Sequence, residues 1–140
     1  MDQCIKEVLR LRPTVPIMGR ELTEDCHIDG YLLPKGTQTY VSAWNVHRHE
    51  DFWTDPERFD PDRFSRDNSV GWHPFAFVPF AAGQRNCIGQ RFAWDEMKVM
   101  ITKLLRHFRL VTHQRIEEVR PLNALVLKPD RKLDIELLAR

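Results

Sequence analysis

Of the three cysteines in this 140-residue chain, Cys87 has the surroundings for thiolate chemistry. It stands between Gly83 and Gly89, two residues after Arg85, at the head of the clearest apolar-periodic segment. If that segment is a helix beginning near Ile88, its first-turn amides point at the sulfur. The helix dipole and the Arg85 guanidinium then favour a negative charge there. The flanking glycines permit a turn with positive φ, or the close approach of a flat ligand to the helix. A solitary cysteine is more often a buried, inert side chain, so the rest of the chain has to decide between the two.

A second constellation is Glu7 with Arg10, whose i, i+3 spacing puts both on one helical face as an ion pair. On a surface such a pair means little. Buried, it needs further partners, and a second arginine from elsewhere could supply them. Other chemistries fail on spacing. Gly83 and Gly89 are followed by Gln90-Arg91 rather than the Lys-Ser/Thr of a phosphate loop, and neither H-E-x-x-H nor G-x-S-x-G occurs, which leaves Ser42 and Ser69 without a nucleophile's setting. His47 and His49, at i, i+2, do not face each other on a helix and read as solvated polar residues.

The elements that must position these residues follow from periodicity and punctuation. Cys4, Ile5, Val8, Leu9 and Leu11 keep helical spacing until Pro13 forces Arg12 out of the α region. Asp29-Gly30 and Pro34-Lys35-Gly36 are turn signals, and residues 37–41 alternate with β-branched side chains, so a small hairpin or sheet is expected. A short polar helix over 43–49 follows. Residues 51–83 hold four of the nine prolines and eight aromatic side chains with no sustained period, an irregular segment that must pack its rings on something. Met97, Met100, Ile101, Leu104, Leu105 and Phe108 then mark a long helix from near Ile88. At the end, 122–127 and the alternating Leu133, Ile135 and Leu137 suggest a hairpin joined by Lys128-Pro129-Asp130-Arg131.

Composition narrows the class. With 42% hydrophobic residues the chain is of globular type, and 21 Lys+Arg against 20 Asp+Glu leave no field that would demand nucleic acid. Three cysteines without a C-x-x-C pair supply neither a disulfide framework nor a four-ligand zinc site. The longest uncharged stretch, 68–84, is broken by two prolines and two glycines and is not a membrane span, and the N-terminus has no secretory h-region.

Three ordered motifs now resemble a known family. Phe80-x-x-Gly83-x-Arg85-x-Cys87-x-Gly89 resembles the haem-binding signature of the cytochromes P450, Glu7-Val8-Leu9-Arg10 resembles their helix K motif, and Pro56-x-x-Phe59-x-Pro61-x-Arg63-Phe64 resembles their meander. The resemblance covers essentially all of residues 1–140. It implies a mixed α and β fold, mainly α, the C-terminal portion of a single P450 domain: helix K, small β-hairpins, meander, Cys loop and long helix L. The N-terminal part of that domain would be absent and the domain incomplete.

The same resemblance implies a haem-thiolate monooxygenase region that inserts oxygen into an apolar small molecule. The cofactor is haem b (iron protoporphyrin IX), with NADPH acting indirectly through a reductase. Cys87 becomes the axial iron ligand, Phe80 packs beside the sulfur, and Gly83 and Gly89 shape the loop. Arg85 and Arg20 match propionate-binding positions. Glu7 and Arg10 gain Arg63 as the third member of a buried network; the look-alike Pro56-Glu57-Arg58-Phe59 lacks the frame, so Arg58 is expected to be solvated.

Residues 15–18 and 122–125, apolar except Asn123, would border the substrate, and the run around Cys87 is similar to the animal fatty-acid hydroxylase branch. Arg91, Lys98 and Lys103 are candidates for the reductase contact. The family implies the cytosolic face of the endoplasmic reticulum membrane, reached through an N-terminal anchor that this chain would lack. Without a distal wall, the 140 residues alone are not expected to turn over substrate. The alternative is a catalytically silent remnant that folds partly or binds haem without turnover; a redox-sensing thiol protein built on Cys87 leaves Glu7, Arg10 and Arg63 unexplained.

Overall fold

The computed structural model describes residues 1–140, with Asn123 described by its main chain alone. The first helix, α1 (Asp2–Leu11), buries Ile5, Leu9 and Leu11 together with Glu7 and Arg10, so its inner face carries charge as well as hydrocarbon. It stops where Pro13 dictates. Arg12 leaves the helical region at φ −136° and its N–H closes on the Val8 carbonyl.

Two small antiparallel ladders follow. Strand β1 (Ile17–Glu21) pairs with β4 (Gln38–Ser42), Ile17 opposite Ser42 and Glu21 opposite Gln38. Between them β2 (Cys26–Ile28) and β3 (Tyr31–Leu33) form a hairpin on Asp29-Gly30, whose φ values of 50° and 82° give the left-handed pair that a two-residue turn requires. The polar helix expected over 43–49 is shorter, α2 (Ala43–Val46), capped by Ser42 Oγ accepting from the Asn45 N–H at 3.2 Å.

The irregular segment solves its packing problem internally. Trp53, Phe64 and Ala76 are buried, with Trp72 and Phe77 packed against them. Ring centroids lie 4.6 Å apart for Trp53–Trp72 and 4.9 Å for Phe64–Phe77, both edge-to-face, an arrangement that contributes about 0.5–1.5 kcal/mol per pair beyond area burial. The Trp53 indole N–H donates to the Val46 carbonyl at 3.1 Å, which locks the ring to the end of α2. A 3-10 turn over Pro61–Phe64, started by Pro61 and capped by Asp60, then presents Phe64 to this core and Arg63 to α1.

The long helix α3 (Gln90–His107) begins two residues later than expected, with Gly89 as its N-cap. Its Met97, Ile101 and Leu105 face Met1, Cys4 and Val8 of α1 across an apolar groove, and Lys98 Nζ reaches Asp2 Oδ2 at 3.0 Å. No described helix is long and apolar enough to cross a membrane.

The last hairpin differs from the expected one. Strand β6 (Pro121–Asn123) pairs with β7 (Leu127–Pro129), so the turn falls at 124–126 rather than at 128–131. The ladder ends where Pro121 faces Pro129, two residues without an N–H to donate. Asp130 then closes the base, its carboxylate accepting from the Arg120 N–H at 3.0 Å. The alternating tail becomes β8 (Glu136–Ala139) and pairs with β5 (Phe108–Val111), the strand that leaves α3 directly, placing Leu137 opposite Leu110.

Candidate functional site

Cys87 is held by main-chain bonds on both sides. Its N–H donates to the Phe80 carbonyl at 2.9 Å, and its own carbonyl accepts from the Gln90 N–H at 3.3 Å, joining the loop to the start of α3. Between Phe80 and Cys87 the chain makes a 3-10 turn at Gly83–Arg85, closed by the Asn86 N–H on the Gly83 carbonyl. Ala81 and Gly83 have φ of 61° and 79°. Gly83 takes that conformation freely, whereas Ala81 is strained by roughly 1–2 kcal/mol, the usual penalty for a Cβ in the left-handed region.

The two glycines therefore do different work. Gly83 needs its positive φ; Gly89 has an ordinary φ of −87°. A Cβ built at Gly89 would meet Cys87 Sγ at 3.9 Å, ordinary contact, and nothing else closer than 4 Å. Nothing within the described chain therefore demands a glycine at 89.

The Cys87 thiol is exposed at a cleft of about 400 Å³ whose wall is mostly apolar: Leu9, Val15, Met18, Phe80, Ala81, Ala93 and Met97, with Arg85 at its edge. Arg20 sits beside it, one guanidinium N–H donating to the Gly19 carbonyl at 2.7 Å and another to the Arg85 carbonyl at 3.1 Å. Among the described residues neither Arg20 nor Arg85 is paired with a carboxylate. A sulfur donor, a flat apolar wall, a space left by Gly89 and two unpaired guanidiniums together fit a large planar metallocycle carrying two carboxylates. Leu122 and Leu125 are exposed and are not part of this wall, and the side chain of Asn123 lies outside the described residues.

Behind the cleft stands the charged network. Glu7 and Arg10 are both inaccessible to solvent and meet in a two-pronged pair, Nε to Oε2 at 2.7 Å and Nη2 to Oε1 at 2.9 Å. The remaining guanidinium donors go to the carbonyls of His47 (2.8 Å), Pro56 (2.7 Å) and Arg58 (3.1 Å). Glu7 Oε1 also accepts from the Asp60 N–H at 2.8 Å and from Arg63 Nε at 3.2 Å. Arg63 spends its other donors on the carbonyls of Thr54, Asp55 and Arg58. Charges taken out of water are destabilising unless fully satisfied, and no buried side-chain polar atom among the described residues lacks a partner. Arg58 lends the network only its carbonyl, and its side chain is exposed.

His47 corrects the sequence reading. It is not solvated but fully buried, stacked on Phe77 at 5.2 Å. Ring Nε2 accepts from the Val78 N–H at 2.9 Å, and Nδ1 lies 3.2 Å from the Arg10 carbonyl. A main-chain N–H can only donate and a carbonyl can only accept, so the ring is neutral with its proton on Nδ1. Burial, aided by the Arg10 and Arg48 cations, pushes its pKa down from 6.5 to about 4. In this direction the unfolded chain takes up the proton first. The stabilisation is fully present above pH 6.5 and is lost as pH falls towards about 4. Between pH 7 and pH 5 the share owed to His47 should be about 2 kcal/mol. Denaturant unfolding at the two pH values tests it: the loss on acidification should be smaller by that amount in His47→Gln, and equal losses would refute the assignment.

Of the expected reductase contacts, Arg91 and Lys103 are exposed, while Lys98 is engaged with Asp2 and lies 5.8 Å from the Trp94 ring. Arg91 and Lys98, seven residues apart, share one face of α3; Lys103 lies about 140° round the helix from Lys98.

The family model for Cytochrome P450 matches residues 1–137. The chain is 44% identical over 140 residues to Cytochrome P450 4V2 of Rattus norvegicus, covering 100% of this chain and 27% of that protein. It is 40% identical over 141 residues to Probable cytochrome P450 4p3 of Drosophila melanogaster, with the same coverage of 100% and 27%. Among solved structures, retinoic acid bound cyanobacterial CYP120A1 superposes with a TM-score of 0.87 at 37% identity, over 99% of this chain and 32% of the other. The heme domain of cytochrome P450DA gives a TM-score of 0.88 at 31% identity, over 99% and 30%. The chain thus spans between a quarter and a third of the length of these relatives.

Proposed function

Because this chain belongs to the cytochrome P450 family, we propose that residues 1–140 form the C-terminal part of a single P450 domain and supply the thiolate face of a monooxygenase. The observation that carries this reading is the convergence at one cleft of the exposed Cys87 thiol, the apolar wall and the unpaired Arg20 and Arg85. Cys87 holds the iron of haem b; Arg85 and Arg20 hold its propionates by charge-assisted hydrogen bonds; Phe80 shields the sulfur; and Gly89 keeps the space beside it clear. Haem held by a cysteine thiolate supplies oxygen activation, its electron-rich sulfur favouring O–O cleavage.

The remaining residues orient and protect. Val15 and Met18 line the cleft with hydrocarbon, which favours an apolar substrate and excludes water. Fatty-acid hydroxylation is the finer reading, supported by the wording of residues 74–98, which resembles the animal fatty-acid hydroxylase branch, and by the likeness to animal P450s numbered in family 4. NADPH acts through a reductase whose acidic surface meets Arg91 and Lys98 on their shared face of α3, with Lys103 turned away from it, on the cytosolic face of the endoplasmic reticulum membrane.

The test is a reconstitution of a complete haem-loaded P450 domain that contains residues 1–140 with a reductase, NADPH and a medium-chain fatty acid, reading hydroxylated product against NADPH consumed, since these residues without a distal wall are not expected to turn over. Product in proportion to NADPH supports the reading. A thiolate-type carbon-monoxide spectrum without product under any apolar substrate would favour the silent haem-binding alternative.

A further inference from the structure

The network of Glu7, Arg10 and Arg63 and the loop carrying Cys87 are separate pieces of chain, and among the described residues no side chain of the network hydrogen-bonds to the loop. One residue bridges them. Arg10 grips His47 at two points, its guanidinium donating to the His47 carbonyl at 2.8 Å and its own carbonyl facing His47 Nδ1 at 3.2 Å. From the opposite edge of the ring, Nε2 takes the Val78 N–H at 2.9 Å. Val78 opens the arm that reaches the sulfur: its carbonyl accepts from the Ala81 N–H at 3.2 Å, and Phe80, two residues on, accepts from the Cys87 N–H at 2.9 Å. We propose that His47 is the positioning residue that transmits the rigidity of the Glu7–Arg10 pair to the cysteine loop, acting as a neutral ring that donates to the Arg10 carbonyl and accepts from the Val78 amide. The consequence for haem rests on the reading of Cys87 as the iron ligand; the tie itself does not.

The geometry makes the two edges of the ring separable. An asparagine at 47 can place a donor near the Nδ1 position but reaches no further, whereas a glutamine can place an acceptor near the Nε2 position. If His47 positions the loop, the edge that matters is Nε2, because losing it leaves the buried Val78 N–H without a partner. Asparagine is also smaller than histidine, so volume alone would favour glutamine too; His47→Leu, measured alongside the two amides, fills the space of the ring with no acceptor and should exchange as fast as His47→Asn, whereas wild-type exchange in it would overturn the proposal.

The experiment compares the haem-loaded wild type with His47→Gln and His47→Asn in three readouts: melting temperature, amide hydrogen exchange over 76–89, and the rate at which the thiolate-type reduced carbon-monoxide band is lost. His47→Asn should accelerate both exchange and band loss by about tenfold or more, the size expected from an orphaned buried donor, while His47→Gln stays within about twofold of wild type. Equal acceleration in the two variants, or changes that merely follow the melting temperature, would overturn the proposal. Exchange reads the tie without reference to iron. If exchange splits as expected while the band does not change, and Cys87→Ser also leaves the band intact, the tie stands and the ligand assignment fails.

Discussion

Replacing Cys87 by serine should abolish the thiolate-type Soret band of the reduced, carbon-monoxide-bound protein, while Cys4→Ser and Cys26→Ser leave it in place. The other two thiols are on different elements, Cys4 on α1 and Cys26 on β2, and neither lines the cleft beside Arg85 and Phe80. A serine hydroxyl in the same loop stays protonated where a cysteine ionises, so the variant keeps the geometry and loses the donor. Because the loop is held by the Cys87 main chain and not by its sulfur, the melting temperature of the haem-free protein should hardly move. A band retained in Cys87→Ser and lost in Cys4→Ser or Cys26→Ser would show the ligand to be elsewhere.

The largest stability effect belongs to Arg10. Arg10→Leu leaves the Glu7 carboxylate buried with only Arg63 and one amide, and strands the His47 and Pro56 carbonyls while that of Arg58 keeps Arg63, at an expected cost of about 3–5 kcal/mol. Arg63→Ala should cost about 2–3 kcal/mol, since Glu7 keeps its bidentate partner and the lost bonds are charge-assisted ones to carbonyls at the rim. Arg58→Ala should stay within about 0.5 kcal/mol, as an exposed side chain whose only contribution to the network is its carbonyl. Denaturant unfolding of the three variants decides it: equal losses for Arg63→Ala and Arg58→Ala would mean that the network is not what holds the meander to α1.

These cases also show what a sequence can disclose. The Glu7–Arg10 pair was legible from its i, i+3 spacing and Arg63 as its partner from the motif it resembles, and the Asp29-Gly30 hairpin was legible because a left-handed turn demands those residue types. His47 was not, since its partners are the Arg10 carbonyl and the Val78 amide, groups that every residue but proline offers alike. The same blindness misplaced the final hairpin. Alternating leucines say that a strand has two faces, but not which strand it pairs with, and the choice of β5 for β8 is made by where α3 delivers its end. For Gly89 the sequence offered two reasons, a positive φ or room for a flat ligand, and the ordinary φ of −87° removes the first.

The spacing of the network along the chain bears on the order of assembly. Glu7, Arg10, His47, the carbonyls of Thr54, Asp55, Pro56 and Arg58, and Arg63 all precede Cys87. During synthesis, which proceeds from the N-terminus, α1 can dock on the 3-10 turn and the Trp53 core before the cysteine loop exists. His47 is then already buried against Arg10 when Val78 arrives to be caught by it. The cysteine loop is thus laid onto a finished support, and the pairing of β5 with β8 comes last, at a distance from both.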